Sequence, residues 1–524
     1  MTGLKAKTRF IFNRLKHLTL PEAIHRLRQA GLMLYLRLGG KKLIGVHTEL
    51  SLLQPISLPL IDGSVKVGEV QEILNGKRYT LNCDANSFDI RAVWEPARLQ
   101  HVYKLLFFGG RDINSSPSPW PSPTGGEGIK TQASIARSIS AQPEIDTQTQ
   151  STENLNVSNN VAGSAHLYAR NEVLSWIKEN LFFTGPHYAS AMECGLRIPI
   201  FIYALLRLPN LVEEEKQKIV RTIYEHAWLI SRKLSLYSSL GNHTICEAVG
   251  LIYAGGLFGS TSEGRRWLKK GIHLLDKEIN HQILDDGGPA EQSLNYHRFV
   301  LDLCWMAQRF LELNGLKDCA AWKKRLNMGE HFLAAFLDNS GRFPAIGDSD
   351  DGHAIAPGLR PERPPATILE KACRFFPEAG YTILRGEKGC RLVFDHGPLG
   401  MAPLYNHGHA DALAIMLNID DRPLLVDPGT FRYNGAPAWR RYFKSTRAHN
   451  TVCVDGLDQA VQETGFIWSR PYSVDGYDVE ETSVGIMVQA RHNGYARLKG
   501  PVEHKRVIRY EHGRFTINDT FDGE

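Results

Sequence analysis

From His166 to about Leu337, apolar residues return every three or four positions, the period of an α-helix with one buried face. Leu167, Val173, Leu174, Ile177 and Leu181 open the series, and comparable segments follow at 189–208, 212–238, 243–258, 262–281, 289–314 and 318–337. The breaks are short and often carry glycine, as at Gly241-Asn242 and at Asp285-Asp286-Gly287-Gly288-Pro289. Short breaks make neighbouring helices antiparallel, so the pattern predicts a bundle or toroid of helical hairpins. After Gly380 the chain turns to short β-rich runs: Tyr381–Arg385, Cys390–Asp395, Ala412–Ile419, Leu424–Asp427, Asn450–Asp455 and Gly485–Ala490. Helices first and strands afterwards predict two separate layers, hence an α+β multidomain chain ending in a sheet sandwich or barrel. The last run, Thr516–Glu524, reads as a strand expecting partners, and the sheet module is expected to be incomplete there.

Two stretches break the pattern. Between 111 and 165 lie Ser116-Pro-Ser-Pro-Trp-Pro-Ser-Pro-Thr-Gly-Gly126 and then a Gln/Thr/Ser/Asn tract. Such a segment buries too little apolar area to offset its ordering entropy, and it reads as a disordered insertion without chemistry. Residues 1–45 hold ten Lys or Arg against one acid, Glu22, which suits one or two basic amphipathic helices. Peripheral contact with a membrane surface or polyanion and a merely solvated helical face both fit that pattern. The domains expected are thus a basic helical part at 1–110, the insertion at 111–165, the helical body at 166–376 and the sheet module at 377–524.

Composition excludes more than it assigns. Hydrophobic residues at 43% and charged residues at 22% are ordinary globular values. A net charge of +5 is too mild to announce nucleic acid as a partner. The cleanest apolar run, Ile198 to Leu206, falls well short of the roughly 20 residues that span a bilayer. No uninterrupted apolar segment follows the basic start, so no signal peptide is expected, leaving bacterial cytoplasm or periplasm open. The eight Cys never form C-x-x-C, which argues against a cysteine zinc site or redox motif.

The densest polar group is Tyr405-Asn406-His407-Gly408-His409-Ala410-Asp411, before a buried-looking strand. Asp427 follows at a strand end, and Arg447-Ala448-His449 stands at a strand start. His409, Asp427 and His449 make a mixed nitrogen and oxygen set suited to zinc, and hydrogen-bonded loop histidines are the plain alternative. In the helical half, Asn242 and His243 open a helix where anions bind readily. Glu291 and Tyr296 are placed on the helix after the Gly-Gly-Pro turn. Gly347-Asp348-Ser349-Asp350-Asp351 lacks the loop glycine and terminal Glu of an EF-hand and reads as a turn near the cleft.

Taken in order, Asn242-His243, Glu291 to His297, Gly347–Asp350, the His407-Gly-His-Ala-Asp411 series, Asp427-Pro-Gly429 and His449-Asn-Thr451 resemble the heparinase II/III-like polysaccharide lyases. That group includes oligoalginate lyases. The resemblance implies an incomplete α/α toroid followed by an antiparallel β-sandwich. It implies one structural zinc on His409, Asp427 and His449, and an acidic polysaccharide as substrate. It also implies β-elimination at a uronic acid: loss of the C5 proton and departure of O4. In that reading Asn242 and His243 would neutralise the carboxylate. Tyr296 would serve as acid and also base, and His407 as base on the other sugar face. Glu291, Arg447 and Tyr405 would contact substrate. The alternatives left open are a non-catalytic glycan-binding or assembly protein in polysaccharide biosynthesis, a zinc-dependent hydrolase using His407, His409 and Asp411, and a glycoside hydrolase using Asp286 and Glu291.

Overall fold

The computed structural model describes residues 19–38, 49–62, 67–74, 98–108, 148–338, 341–349, 352–366, 372–387 and 389–523. Among the described residues four helices come first: α1 (Leu20–Arg37), α2 (Val67–Leu74), α3 (Gln100–Phe107) and α4 (Gln148–Glu179). Three hairpins follow, α5 (Ala191–Arg207) with α6 (Glu213–Arg232), α7 (Asn242–Leu257) with α8 (Ser262–Gln282), and α9 (Leu294–Leu313) with α10 (Ala320–Ala335). The first helices of the hairpins, α5, α7 and α9, pack on one another as an inner row. They are apolar nearly all round, and their side chains from Ala191 to Leu205 and from Thr244 to Leu257 are buried. The outer helices α6 and α8 bury one stripe each and show charge on the other face, as surface helices do. This is an arc of an α/α toroid.

Close approach sets the inner row. A Cβ on Gly195 of α5 would sit 2.3 Å from the Cys246 carbonyl oxygen of α7, and one on Gly250 would sit 2.8 Å from the Gly195 Cα. The backbones meet there without side chains between them, which fixes where α7 begins and so where Asn242 lies.

Beside two short pairs, β1 (Ile61–Asp62) with β2 (Arg360–Pro361) and Val461–Gln462 with Trp468–Ser469, the strands form two antiparallel meanders. The first runs β3 (Cys373–Phe376), β4 (Tyr381–Arg385), β5 (Arg391–Asp395), β6 (Ile415–Ile419) and β7 (Arg422–Leu425). After α11 (Pro437–Phe443), four strands, Val474–Glu481, Gly485–Tyr495, Val502–Glu511 and Arg514–Gly523, make the second. Leu384, Leu392, Phe394 and Ile415 of the first meet Val488, Ala490 and Ile508 of the second, so the two sheets close as a sandwich. The first sheet also shares the toroid core: Phe332 of α10 and Phe336 just after it pack on Phe376 and Tyr381. Gln292 bridges the halves, donating to the Ala379 carbonyl and accepting from the Tyr381 hydroxyl at 2.8 Å.

Three expectations change. Residues 148–165, read as part of a disordered insertion, are helical, because α4 runs unbroken through them. The last proline of the 111–165 stretch is Pro143, and Ala165, Ala169, Val173 and Trp176 anchor one face, so the polar stretch extends a helix that is already nucleated. The remainder of the insertion from 111 to 147 lies outside the described residues, as do 1–18 and 39–45 of the basic terminus and Asp350 and Asp351. The strand expected from Ala412 begins only at Ile415, after Leu413 at φ +60°. Asn450–Asp455 is not a strand: Asn450 instead ties loop ends together, its amide donating to the Ile415 and Val426 carbonyls. Its β-branched residues favour extension, but tertiary contacts override that preference.

Candidate active site

The site lies where the N-termini of α7 and α9 meet the loop between β5 and β6. Gly241 precedes α7 at φ +111°, a conformation glycine adopts without strain, and a Cβ there would fall 2.0 Å from Glu291 Oε1. Asn242 therefore sits directly against Glu291, its backbone N–H and Nδ2 donating to Oε1 at 3.2 and 3.1 Å. A carboxylate beside a helix N-terminus is electrostatically favoured, although burial pushes the Glu291 pKa up. Helix α9 starts at Leu294, capped by the Ser293 hydroxyl, and not directly after the Gly-Gly-Pro turn. Glu291 is thus a loop residue behind Asn242, followed by Gln292 at φ +53°, and the bridge that Gln292 makes between domains outweighs its helical propensity.

Tyr296 occupies the first turn of α9. Its ring stacks on His407, centroids 3.9 Å apart and planes 28° from parallel, and its hydroxyl lies 3.0 Å from that of Tyr433. His407 places Nδ1 3.1 Å from Asp348 Oδ2 and Nε2 3.2 Å from Asn242 Nδ2. Asp348 only accepts, so Nδ1 carries the hydrogen and Nε2 presents a lone pair, here receiving an amide hydrogen of Asn242.

Asp348 is the hub. Arg440 grips both its oxygens, at 2.5 and 2.8 Å, while His409 Nε2 and the Thr430 hydroxyl reach Oδ1 at 3.1 and 2.9 Å. Burial alone would raise its pKa, but Arg440, His407 and His409 together hold it well below the usual carboxylate range. Arg440 in turn lies 4.7 Å from the Tyr433 ring centroid. Against burial, Asp348 and then Tyr433 and Tyr296 keep Arg440 charged. Gly347, at φ +64°, makes the wedge possible, since a Cβ would lie 2.2 Å from the Gln292 carbonyl oxygen.

His409, Asp427 and His449 come together, their ligating atoms within 4.8 Å of one another. His449 Nδ1 donates to the Ser445 carbonyl at 2.8 Å, and His409 Nε2 to Asp348, so both remaining nitrogens are bare lone pairs. Those two nitrogens, His409 Nδ1 and His449 Nε2, face each other at 3.2 Å, with Asp427 Oδ1 3.7 Å from the latter. Two facing lone pairs repel unless a cation stands between them, and about 3.3 Å is the edge of a tetrahedron with zinc–nitrogen bonds of about 2.0 Å. The outer hydrogen bonds to a carboxylate and a carbonyl are the kind that orient metal-bound imidazoles. Burial pushes His409 down to about 3, so the ring is neutral, as a ligand must be. The residues fit a metal.

The remaining expected residues sit in varied settings. His243 lies half-buried on the first turn of α7, and burial, reinforced by His407, pushes it down to about 4. Near neutrality it is an uncharged donor, not the imidazolium that would add positive charge. Tyr405 packs against the cluster of Leu399, Trp468 and Tyr472. Arg447 is exposed with its guanidinium beside Gly456, and the guanidinium that reaches the Tyr296–Tyr433 pair is Arg440. Asp286 caps a turn, accepting from the Gly288 and Ala379 N–H groups, and Asp411 accepts from the Tyr472 hydroxyl. Arg440 and Tyr433 are site residues that the sequence pattern does not single out, and Asp348, which reads there as part of a turn near the cleft, is the hub. Asp348 has a visible signal in its Gly-Asp-Ser-Asp setting, whereas nothing in Pro437-Ala-Trp-Arg-Arg-Tyr-Phe distinguishes Arg440 from Arg441.

Gly408 has no room for a side chain, since a Cβ would fall 1.6 Å from the Leu399 carbonyl oxygen. Gly408→Ala must push His407 and His409 away from their partners. It is expected to cost upward of about 2 kcal/mol in denaturant unfolding, as overpacking does, with loss of any activity. A variant as stable as the parent would show that this loop is not tightly constrained.

A helical arc and a β-sandwich gripping one His–Tyr pair define a toroid-sandwich protein with a polar interdomain site. Residues 156–355 match the heparinase II/III N-terminus and residues 369–524 the heparinase II/III-like C-terminal region, and the chain belongs to this family. A heparin-sulfate lyase of Bacteroides stercoris is 24% identical over 352 residues, covering 60% of this chain and 48% of that protein. Another heparin-sulfate lyase, from Pedobacter heparinus, is 25% identical over 265 residues, 43% of this chain and 38% of that protein. The chain thus spans about half the length, or less, of these curated relatives. The crystal structure of a heparinase III superposes with a TM-score of 0.56 at 17% identity, over 87% of this chain and 75% of that one, a likeness of fold.

Proposed function

We propose that this protein is a polysaccharide lyase that cleaves an acidic, uronate-containing glycan of the glycosaminoglycan or alginate type by β-elimination. The observation that carries the reading is the stack of Tyr296, from the helical half, on His407, from the sheet half, at 3.9 Å. One sugar ring laid across that pair would meet a phenol and an imidazole lone pair together. The bond changes balance without water: C5–H and C4–O4 break, a C4–C5 double bond forms, a base takes the C5 proton and an acid protonates O4.

The hard step is ionising a carbon beside a carboxylate, so donors on that carboxylate must supply most of the stabilisation. Asn242 supplies an amide at a helix N-terminus and His243 a neutral N–H. In the resting site one Asn242 amide hydrogen rests on His407 Nε2. A substrate carboxylate that took this hydrogen would in the same motion free the His407 lone pair to act as base. Tyr296, hydrogen-bonded to Tyr433, is the acid for O4, and serves as base where the epimer presents its C5 proton to that side.

The same proposal places a structural zinc on His409, Asp427 and His449. Bound there it would supply a fixed positive charge that clamps the loop carrying His407, and no chemical step passes through it. The test is a panel of heparan-type glycans, alginate and other uronate polymers, read by the ultraviolet absorbance of the unsaturated uronate product. Absorbance rising on at least one polymer is expected, and new reducing ends without absorbance would mean hydrolysis and overturn the reading. Purified protein is expected to carry one equivalent of zinc and to melt at lower temperature after chelation. Metal-free protein with unchanged melting would remove the zinc while leaving the lyase reading intact.

A further inference from the structure

Helix α1 carries a feature that the catalytic reading does not use. Leu20, Ile24, Leu27, Leu34 and Leu38 recur at steps of four and three and lie along one side of the helix, with Gly31 filling the remaining place. That side faces outward: Leu20, Leu27 and Leu38 are 74%, 73% and 79% exposed, and Ile24 and Leu34 are exposed too. The opposite side is fastened to the toroid. His25 Nε2 lies 3.0 Å from the Leu234 carbonyl oxygen, Gln29 donates to the same oxygen at 2.9 Å, and Leu36 is buried. The helix is therefore docked, with an apolar stripe about 27 Å long, at 1.5 Å per residue, left uncovered by the described residues.

Beside the stripe, on the flank of α1 that bears Arg28 and Tyr35, opens a pocket of about 770 Å³ between α1, α6 and α8. Among the described residues its lining includes Arg28, Arg232, Lys270, Trp228 and Tyr35 and contains no carboxylate. Glu22 pairs with Arg26 at 2.6 Å and Glu263 with Arg266 at 2.6 Å, while the buried Glu247 carboxyl that acts on Lys270 from α7 takes the Ser235 N–H and hydroxyl as its own partners. Arg37 lies on the stripe's other flank.

From this juxtaposition we infer that α1 docks the protein on an anionic lipid bilayer, its leucine stripe entering the acyl boundary and the adjoining basic pocket receiving a phosphate-bearing headgroup. An apolar stripe between cationic flanks is the pattern of an interfacial helix. The charge argues against a second copy as the occupant, because pairing two stripes would bring Arg28 and Arg37 of each helix against cations of the other. The inference does not depend on the lyase reading.

The test is co-sedimentation of the full chain with vesicles of phosphatidylglycerol mixed equally with phosphatidylcholine, against phosphatidylcholine alone, at low and high salt. Binding to the anionic vesicles that weakens with salt is expected. The exposed pair Leu27→Glu/Leu34→Glu and the pocket pair Arg28→Glu/Lys270→Gln, in which glutamine can still donate to the Ser231 carbonyl that Lys270 holds, are each expected to weaken it by roughly tenfold or more. Melting temperature and glycan turnover should be unchanged in both. Any of these results would overturn the inference: parent protein left in the supernatant; binding untouched by both pairs, which would assign it to the basic residues before α1; or a dimer abolished by the Leu pair without vesicle binding. Inorganic phosphate bound with the affinity of the vesicles would assign the pocket to a free anion and equally remove the bilayer.

Discussion

Tyr296→Phe is expected to lower kcat on the cleaved glycan by about 10²–10⁴-fold, the usual worth of a positioned proton donor or acceptor. Phenylalanine keeps the ring that stacks on His407 and removes only the hydroxyl and its 3.0 Å contact with Tyr433. Melting temperature should therefore stay close to that of the parent, and KM should move far less than kcat. That split separates proton transfer from uniform binding, because a residue that only held the substrate would raise KM and leave turnover alone. Tyr433→Phe is the companion measurement. It leaves the Tyr296 hydroxyl in place but takes away its hydrogen-bonding neighbour, while keeping the ring beneath Arg440, so a smaller loss of kcat is expected. If Tyr296→Phe turned over glycan at the parental rate, the phenol would not be the acid, and the His407–Tyr296 stack would lose its catalytic meaning.

The halves of this site are visible in the sequence to different degrees, for physical reasons. Periodicity exposes the inner and outer helices because burial repeats with the helix turn, and α5 to α10 lie within a few residues of the expected segments. The candidate metal set is legible because ligands must be His, Asp, Glu or Cys, a small alphabet, and a Gly between two His is itself a steric signal. Asp348 reads only as a turn, since its role depends on Arg440, ninety-two positions away. Long-range pairing of that kind leaves no periodic trace. Glu291 is misplaced on a helix because local propensity says nothing of Gln292 reaching across to Tyr381 and Ala379. The polar beginning of α4 fails in the other direction: composition predicts disorder where a buried face further along the same helix supplies the anchoring.

Asp348→Asn is expected to destabilise the protein by about 3–5 kcal/mol, the range for breaking a buried ion pair by removing one partner. The carboxylate is fully buried and serves Arg440, His407, His409 and Thr430 at once. An amide cannot accept through both atoms, so the Arg440 guanidinium is left as an uncompensated charge and one imidazole N–H meets a donor. His407 then loses the partner that holds its hydrogen on Nδ1, and activity should fall with stability. The pH dependence has a defined sign. The folded pKa of Asp348 lies well below its unfolded value near 3.8, so its contribution is fully present above about pH 4 and fades only as pH falls toward the folded value. The melting gap between parent and variant should accordingly be constant from neutral to mildly acidic pH and narrow only in strong acid. Adding Arg440→Met to Asp348→Asn should recover part of the lost stability, by removing the orphaned charge, without restoring turnover. Strict additivity of the two substitutions in unfolding measurements would mean that the pair does not act as a unit, and Asp348 would no longer explain how one carboxylate holds the His407 and His409 rings together.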